Sequence, residues 1–184
     1  MVRQASLLIA LATLAIGNTH AEDWPQWNGP TRDGAVHDDG VLRVIPEAGL
    51  KEFWRKDLGL GYAGPAVVGD RVFVFDYVKS SGEIINNPGK RDELTGQERL
   101  LCLNVANGAE LWEHQYDRNY AVSYGAGPRC TPTVHDGLVY ILGAEGDLTC
   151  LDAANGDKHW HRQFKGEFGA ITPIWGHSAA PLVY

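Results

Sequence analysis

Cysteine is scarce in this chain of 184 residues, and none of its three cysteines stands in a CxxC or Cys/His spacing. That excludes a zinc ribbon, a thioredoxin-like redox pair and a disulfide-dense scaffold. Positive charge is short as well. Sixteen Lys and Arg against 23 Asp and Glu leave a formal net charge of −7, with the basic residues scattered. Such a surface offers no footprint for nucleic acid or an anionic membrane. The long apolar run is confined to residues 5–16, too short to span a bilayer stably. No Ser-His-Asp arrangement is evident. Gly125-Ala126-Gly127 runs into Pro128 without the Lys or the helix of a phosphate loop, so these glycines are read as permitting tight backbone.

What the chain does have is a repeat. Leu101-Cys102-Leu103-Asn104-Val105-Ala106-Asn107-Gly108-Ala109-Glu110-Leu111-Trp112 returns 48 residues later as Thr149-Cys150-Leu151-Asp152-Ala153-Ala154-Asn155-Gly156-Asp157-Lys158-His159-Trp160. Each copy reads as an apolar strand, an Asn-Gly turn and a second strand ending on Trp, which is a hairpin signature. Trp54 looks like the tail of a further copy. A second phase marks the start of each unit: Pro65-Ala66-Val67-Val68 aligns with Pro132-Thr133-Val134-His135 and begins again at Pro181-Leu182-Val183-Tyr184. The two prolines are 67 residues apart, so the first unit carries a 19-residue insertion within residues 78–98. That stretch is rich in turn formers and lacks an apolar period, which predicts a long surface loop or finger.

Four strands per unit follow, in the second unit near 131–135, 138–143, 147–151 and 158–164. Val72-Phe73-Val74-Phe75 and Val139-Tyr140-Ile141-Leu142 are apolar at every position, which predicts sheets covered on both faces. Four-stranded antiparallel sheets stacked face to face at this period describe a β-propeller. A sandwich would not explain a Trp repeated in register. The expected fold class is therefore all-β, a partial propeller of about two complete blades (65–115 and 132–164) plus flanking strands. Cys102 and Cys150 then hold equivalent places in successive sheets. Sheet stacking at ~10 Å keeps them too far apart to bridge, so both are read as core residues. Cys130 could pair only with something outside this segment.

The segment from Cys150 to Trp160 resembles the repeat of the pyrroloquinoline-quinone-like (PQQ-like) propellers, whose consensus runs close to aLDaatGkxxW. Residues 103–112 form a worn second copy, with Asn104 in place of Asp. Trp24-Pro25-Gln26-Trp27-Asn28-Gly29-Pro30, Tyr124-Gly125-Ala126-Gly127-Pro128-Arg129 and Trp175-Gly176-His177-Ser178-Ala179-Ala180-Pro181 look like an exported bacterial subgroup of PQQ-binding-like repeat proteins. The resemblance implies a docking contact between neighbouring blades made by the Gly and the Trp. Carried over, it pairs Gly108 with Trp112 and Gly156 with Trp160, with Trp54 the docking Trp of an incomplete blade. It also implies a parent of seven or eight blades, from which this chain would be an N-terminal fragment with bare apolar faces, prone to aggregate alone.

Residues 1–21 combine an early Arg3, the apolar core and Thr19-His20-Ala21, which predicts a signal peptide cleaved after Ala21 and export to the periplasm or beyond. No Cys follows the core, so no lipid anchor is expected. An N-terminal extension over 22–50 then precedes the propeller over 51–184.

In propellers the first strand of each blade lines a central channel. Tyr62, Arg129 and His177 lie three or four residues before the marker prolines, flanked by Tyr124 and Trp175, and could share one channel rim. An Arg, a His and aromatic rings converging there would suit an anionic or planar ligand, whether a small molecule or a protein or peptide. Equally, Arg129 and His177 could satisfy carbonyls between blades. His159 and His161 fall on one strand face but lack a third ligand, so no metal is expected. Glu145, Asp147 and Asp152 are read as turn caps.

The functional expectation is a non-enzymatic binding or scaffold module with no evident cofactor. The alternative is a quinoprotein dehydrogenase oxidising an alcohol or sugar with PQQ and calcium. Such enzymes typically add adjacent cysteines, a catalytic Asp and Asn/Glu calcium ligands; no Cys-Cys pair occurs here. A third reading is a partner in outer-membrane protein assembly, against which the missing lipidation Cys stands.

Overall fold

The computed structural model describes residues 22–36, 44–125 and 127–184. The expected leader lies outside them, as do Ala126 and part of the N-terminal extension. The chain forms two antiparallel sheets. The first holds β1 (Ala66–Val68), β2 (Arg71–Ser81), β3 (Asp92–Asn104) and β4 (Glu110–Asp117) in that order, with β5 (Tyr120–Val122) also paired to β3. The second holds β6 (Thr133–His135), β7 (Leu138–Leu142), β8 (Asp147–Asp152) and β9 (Lys158–Gln163), again in chain order. A single helical turn, α1 (Phe164–Phe168), follows. These are two blades of a propeller, and the second matches the expected strands to within two residues.

The repeat extends to detail. Cys102 pairs with Trp112 and Cys150 with Trp160, each next to a register shift at the following Leu. In both β-hairpins an Asx side chain closes the turn: Asn104 Oδ1 accepts from Ala106 N at 2.9 Å, and Asp152 Oδ1 from Ala154 N at 2.7 Å. Asp136 and Gly137 both adopt positive φ (47° and 74°), the primed turn that matches strand twist between β6 and β7.

Alternation along each strand decides which face goes where. Phe73, Phe75, Leu100 and Cys102 leave one face of the first blade and pack with Val139, Ile141, Leu151 and Ala153 of the second, forming the main core. Val72, Leu101 and Leu103 leave the opposite face and are covered in part by Trp54. Burial on both sides is why these strands are apolar at every position. Each such side chain contributes ~1.5–3 kcal/mol on transfer from water.

The indoles bridge blades, but not in the pairs expected. Trp54 lies on Gly108, where an added Cβ would approach its ring to 2.6 Å, and its Nε1 donates to Val105 O at 2.8 Å. Trp112 lies on Gly156 in the same way, also at 2.6 Å, with Nε1 donating to Ala153 O at 3.3 Å. The pairing is Trp of one unit on Gly of the next, not Gly108 with Trp112 or Gly156 with Trp160. The reason is geometric. Within one hairpin the Gly is in the turn, while the Trp four residues on points across the sheet face towards the neighbouring blade. Among the described glycines none has its Cβ position against Trp160, which is 39% exposed and tilted against Tyr140 at 6.1 Å.

The insertion also differs from expectation. Residues 78–81 and 92–98 are strand, with Val78 opposite Gln97 and Lys79 opposite Gly96, so only 82–91 is a connecting loop. One face of β3 is buried here, but two of its three inward residues, Asp92 and Glu98, are polar and only Leu94 is apolar, so the sequence shows no apolar period. Tyr77, Leu94, Tyr120 and Val122 form a second small core that anchors this finger, with Tyr77 and Tyr120 stacked at 4.1 Å. β5 makes the first sheet five-stranded rather than four.

The extension is not a passive leader. Trp24 exchanges two backbone hydrogen bonds with Val67 of β1 (2.8 and 2.9 Å), and Pro25 O accepts from Val134 N of β6 at 2.8 Å. One strap therefore ties the first strands of both blades along the edge that faces a propeller's axis. The cysteines are free and buried. The Cys130 thiol is directed at the carbonyls of His177 and Ala179 (3.5 and 3.3 Å), and burial pushes it up to about 12.

Candidate functional site

The expected rim residues separate into two places. Tyr62 N and Ala63 N both donate to Pro128 O (2.8 and 3.1 Å), which brings the Tyr62 ring under Arg129, whose guanidinium carbon lies 5.3 Å from the ring centroid. With Trp24 and Trp27 of the strap and Thr131, they line a cleft of about 500 Å³. Trp175 and His177 line another. His177 N donates to Ala144 O at 2.9 Å and its ring meets Phe164 edge-on at 5.4 Å. Tyr124, at a positive φ of 52°, contributes its carbonyl and not its ring to the Arg129 cluster.

Arg129 is largely committed. It donates to Ser123 O at 2.9 Å, to Tyr124 O at 2.5 Å and to Gly127 O. Its burial lowers its proton affinity from the usual arginine value, the cost of removing a cation from water. Replacing Arg129 by Ala should therefore destabilise the fold by ~1–3 kcal/mol, read as a fall in thermal midpoint, because three carbonyls lose their donor. What remains free for a ligand at this cleft is aromatic: Trp27 and Tyr62 are each 53% exposed.

Sequence reasoning missed a buried, densely bonded carboxylate. Glu98, on the finger's β3, is wholly buried where the first blade meets Gly143 and Ala144 of the second. Its carboxyl accepts from the Tyr116 hydroxyl, from Tyr120 at 2.6 Å and from Ala144 N at 2.8 Å. Burial pushes the Glu98 carboxyl above the usual range, against the pull of those three donors, and the nearby Asp147 charge adds to the push. Asp147, fully buried, accepts from Arg118 at 2.7 Å and lies 3.1 Å from His161 Nε2. In the sequence Glu98 is one polar residue among the finger's many, and only the long-range pairing of β2 with β3 turns it inward. His159 lies 4.0 Å from Asp152, apart from this group.

A family model that carries the PQQ repeat name, described as outer membrane protein assembly factor BamB, matches residues 38–167, well over half of the chain. The chain belongs to the PQQ-like propeller repeat family. No curated protein matches it. Among solved structures this PQQ-like chain is similar to a europium-containing methanol dehydrogenase (15% identity, 58% of this chain, 25% of that chain, TM-score 0.31). It is similar to the quinohemoprotein alcohol dehydrogenase from Comamonas testosteroni (20% identity, 77% and 27%, TM-score 0.32). BamB from Moraxella catarrhalis also matches (15% identity, 60% and 54%, TM-score 0.21). The chain spans about a quarter of the length of either dehydrogenase and about half of that BamB.

No three of His, Cys, Asp and Glu come together to hold a cation among the described residues. Of the buried carboxylates near the finger, Glu98 is held by its tyrosines and Asp76 by two bonds from Arg99 (3.1 and 2.8 Å), while Asp92 accepts from Gly125 N at 3.2 Å and keeps one oxygen without a partner.

Proposed function

We propose that this chain is part of an exported, non-enzymatic PQQ-like propeller, a binding or scaffold module drawn from a longer parent. A planar group, presented by a small molecule or by a peptide side chain, would stack in the cleft between strap and rim. The observation that carries this reading is the pair of half-exposed rings, Trp27 and Tyr62, on one 500 Å³ cleft. Large aromatic surface left in water at a concave site is typical of a recognition surface. The description of the matching family model as an assembly factor supports the scaffold over the dehydrogenase. Export rests on the pattern of residues 1–21, and no described helix is long and apolar enough to cross a membrane.

Riboflavin, a planar probe, should quench the tryptophan fluorescence of the full chain saturably. Trp27→Ala combined with Tyr62→Ala should weaken that binding about tenfold or more, since one stacked ring is worth ~1–3 kcal/mol. With PQQ and calcium supplied, no dye-linked dehydrogenase activity is expected. Undiminished quenching in the double variant would remove the cleft from the account, and clear turnover would restore the enzyme.

A further inference from the structure

A smaller cleft of about 220 Å³ opens between the two blades and shares no lining residue with the aromatic one. β4 of the first blade contributes His114, with Arg118 one residue beyond its end; β8 and β9 of the second contribute Thr149, Lys158 and His161. Two observations indicate that a ligand is wanted there. Thr149, 1% exposed, has a side-chain hydroxyl with no hydrogen-bond partner, and Arg118 Nε is likewise unmatched. Buried polar groups without partners are uncommon and costly, so a native cleft that leaves them so calls for an explanation.

The charge around the cleft selects the ligand's sign. His114 is held below the ordinary imidazole range, first by burial and then by the positive charges of Lys158 and His161, and no carboxylate offsets them at that ring. The two nearby carboxylates are occupied, Asp147 by Arg118 and His161, Asp117 by Gln97 at 2.8 Å. The second oxygen of Asp147 has no partner, but Asp147 is not among the residues that line the cleft. At about 220 Å³ the space falls short of the ~300 Å³ and above that holds a cofactor-sized molecule.

We propose that this inter-blade cleft binds a small tetrahedral oxyanion such as phosphate, held by Lys158, His114 and the Thr149 hydroxyl. Donors converge from three strands of both blades, so the ligand must accept hydrogen bonds in several directions at once, as a tetrahedral oxyanion does. Its seat also joins β4 to β8 and β9 and would brace one blade against the other.

The test titrates inorganic phosphate into the full chain at constant ionic strength made up with sodium chloride, following the imidazole resonances of His114 and His161. Both should shift and saturate. Lys158→Met, at an exposed position that leaves folding intact, should weaken binding about tenfold or more, and Thr149→Val several-fold. Shifts that grow without saturating, a response matched by chloride alone, or equal affinity in Lys158→Met would each overturn the assignment. Loss of folding in Thr149→Val would leave Lys158→Met to decide.

Discussion

Gly156→Ala should cost ~2–5 kcal/mol, enough to unfold much of the chain at physiological temperature. Two effects add. Gly156 has φ of +77°, where any other L-residue pays ~1–2 kcal/mol of backbone strain. The added methyl would stand 2.6 Å from Trp112 Cε3, so the indole must move from its seat and lose its bond to Ala153 O, an overpacking cost of ~1–3 kcal/mol. Gly137 separates the two effects. It has nearly the same φ, +74°, but nothing within 4 Å of the position its Cβ would take. Gly137→Ala should therefore show the strain alone, and the difference between the two variants in urea midpoint isolates the indole contact. Trp112→Ala should itself cost ~3–5 kcal/mol, since the ring also packs on Phe73 at 5.9 Å. In the Gly156→Ala, Trp112→Ala double variant the penalties should fall short of their sum by ~1–3 kcal/mol, because the methyl no longer meets a ring. Strict additivity would mean that the ring does not hold the blades together.

That contact shows where sequence reading succeeds and where it stops. The hairpins were legible because strands buried on both faces are apolar throughout, and because Cys-Leu, Asx and Asn-Gly recur at fixed offsets. Partnership between blades was not, since the nearest Gly along the chain is not the nearest in space. The finger resembled a loop for a related reason: its polar residues pair through the backbone, and Tyr77 and Leu94 are too sparse to set a period. At the rim, spacing before the marker prolines placed Tyr62, Arg129 and His177 together. Two bonds to Pro128 O bring the first two into contact, while Ala144 O and Phe164 hold His177 elsewhere. Arg129 gives its donors to the carbonyls of Ser123, Tyr124 and Gly127 in its own loop. The strap was invisible because nothing in Trp24-Pro25 names the strands it would join.

Glu98→Ala should be the most damaging single change outside the indole seats, at ~3–5 kcal/mol. The buried Tyr120 hydroxyl, the hydroxyl of the partly buried Tyr116 and the Ala144 amide lose their acceptor, and the vacated space abuts Gly143. The tyrosines cannot compensate by ionising, since burial beside Glu98 lifts both hydroxyls well above 10.0. The conservative variant tests the electrostatics instead. Because the folded state raises the Glu98 carboxyl above its unfolded value, the native chain binds that proton more tightly. Stability from this group is thus fully present below the unfolded value and declines as pH rises through the folded one, the reverse of a salt-bridged aspartate. Glu98→Gln keeps an acceptor and abolishes the titration. Its stability relative to the parent chain should therefore climb as pH rises from the ordinary glutamate range towards neutrality, measured as paired urea transitions across that window. Parallel pH profiles for the two chains would show that the buried carboxyl titrates no differently in the folded and unfolded states, and that the blades meet there without a protonated glutamate between them.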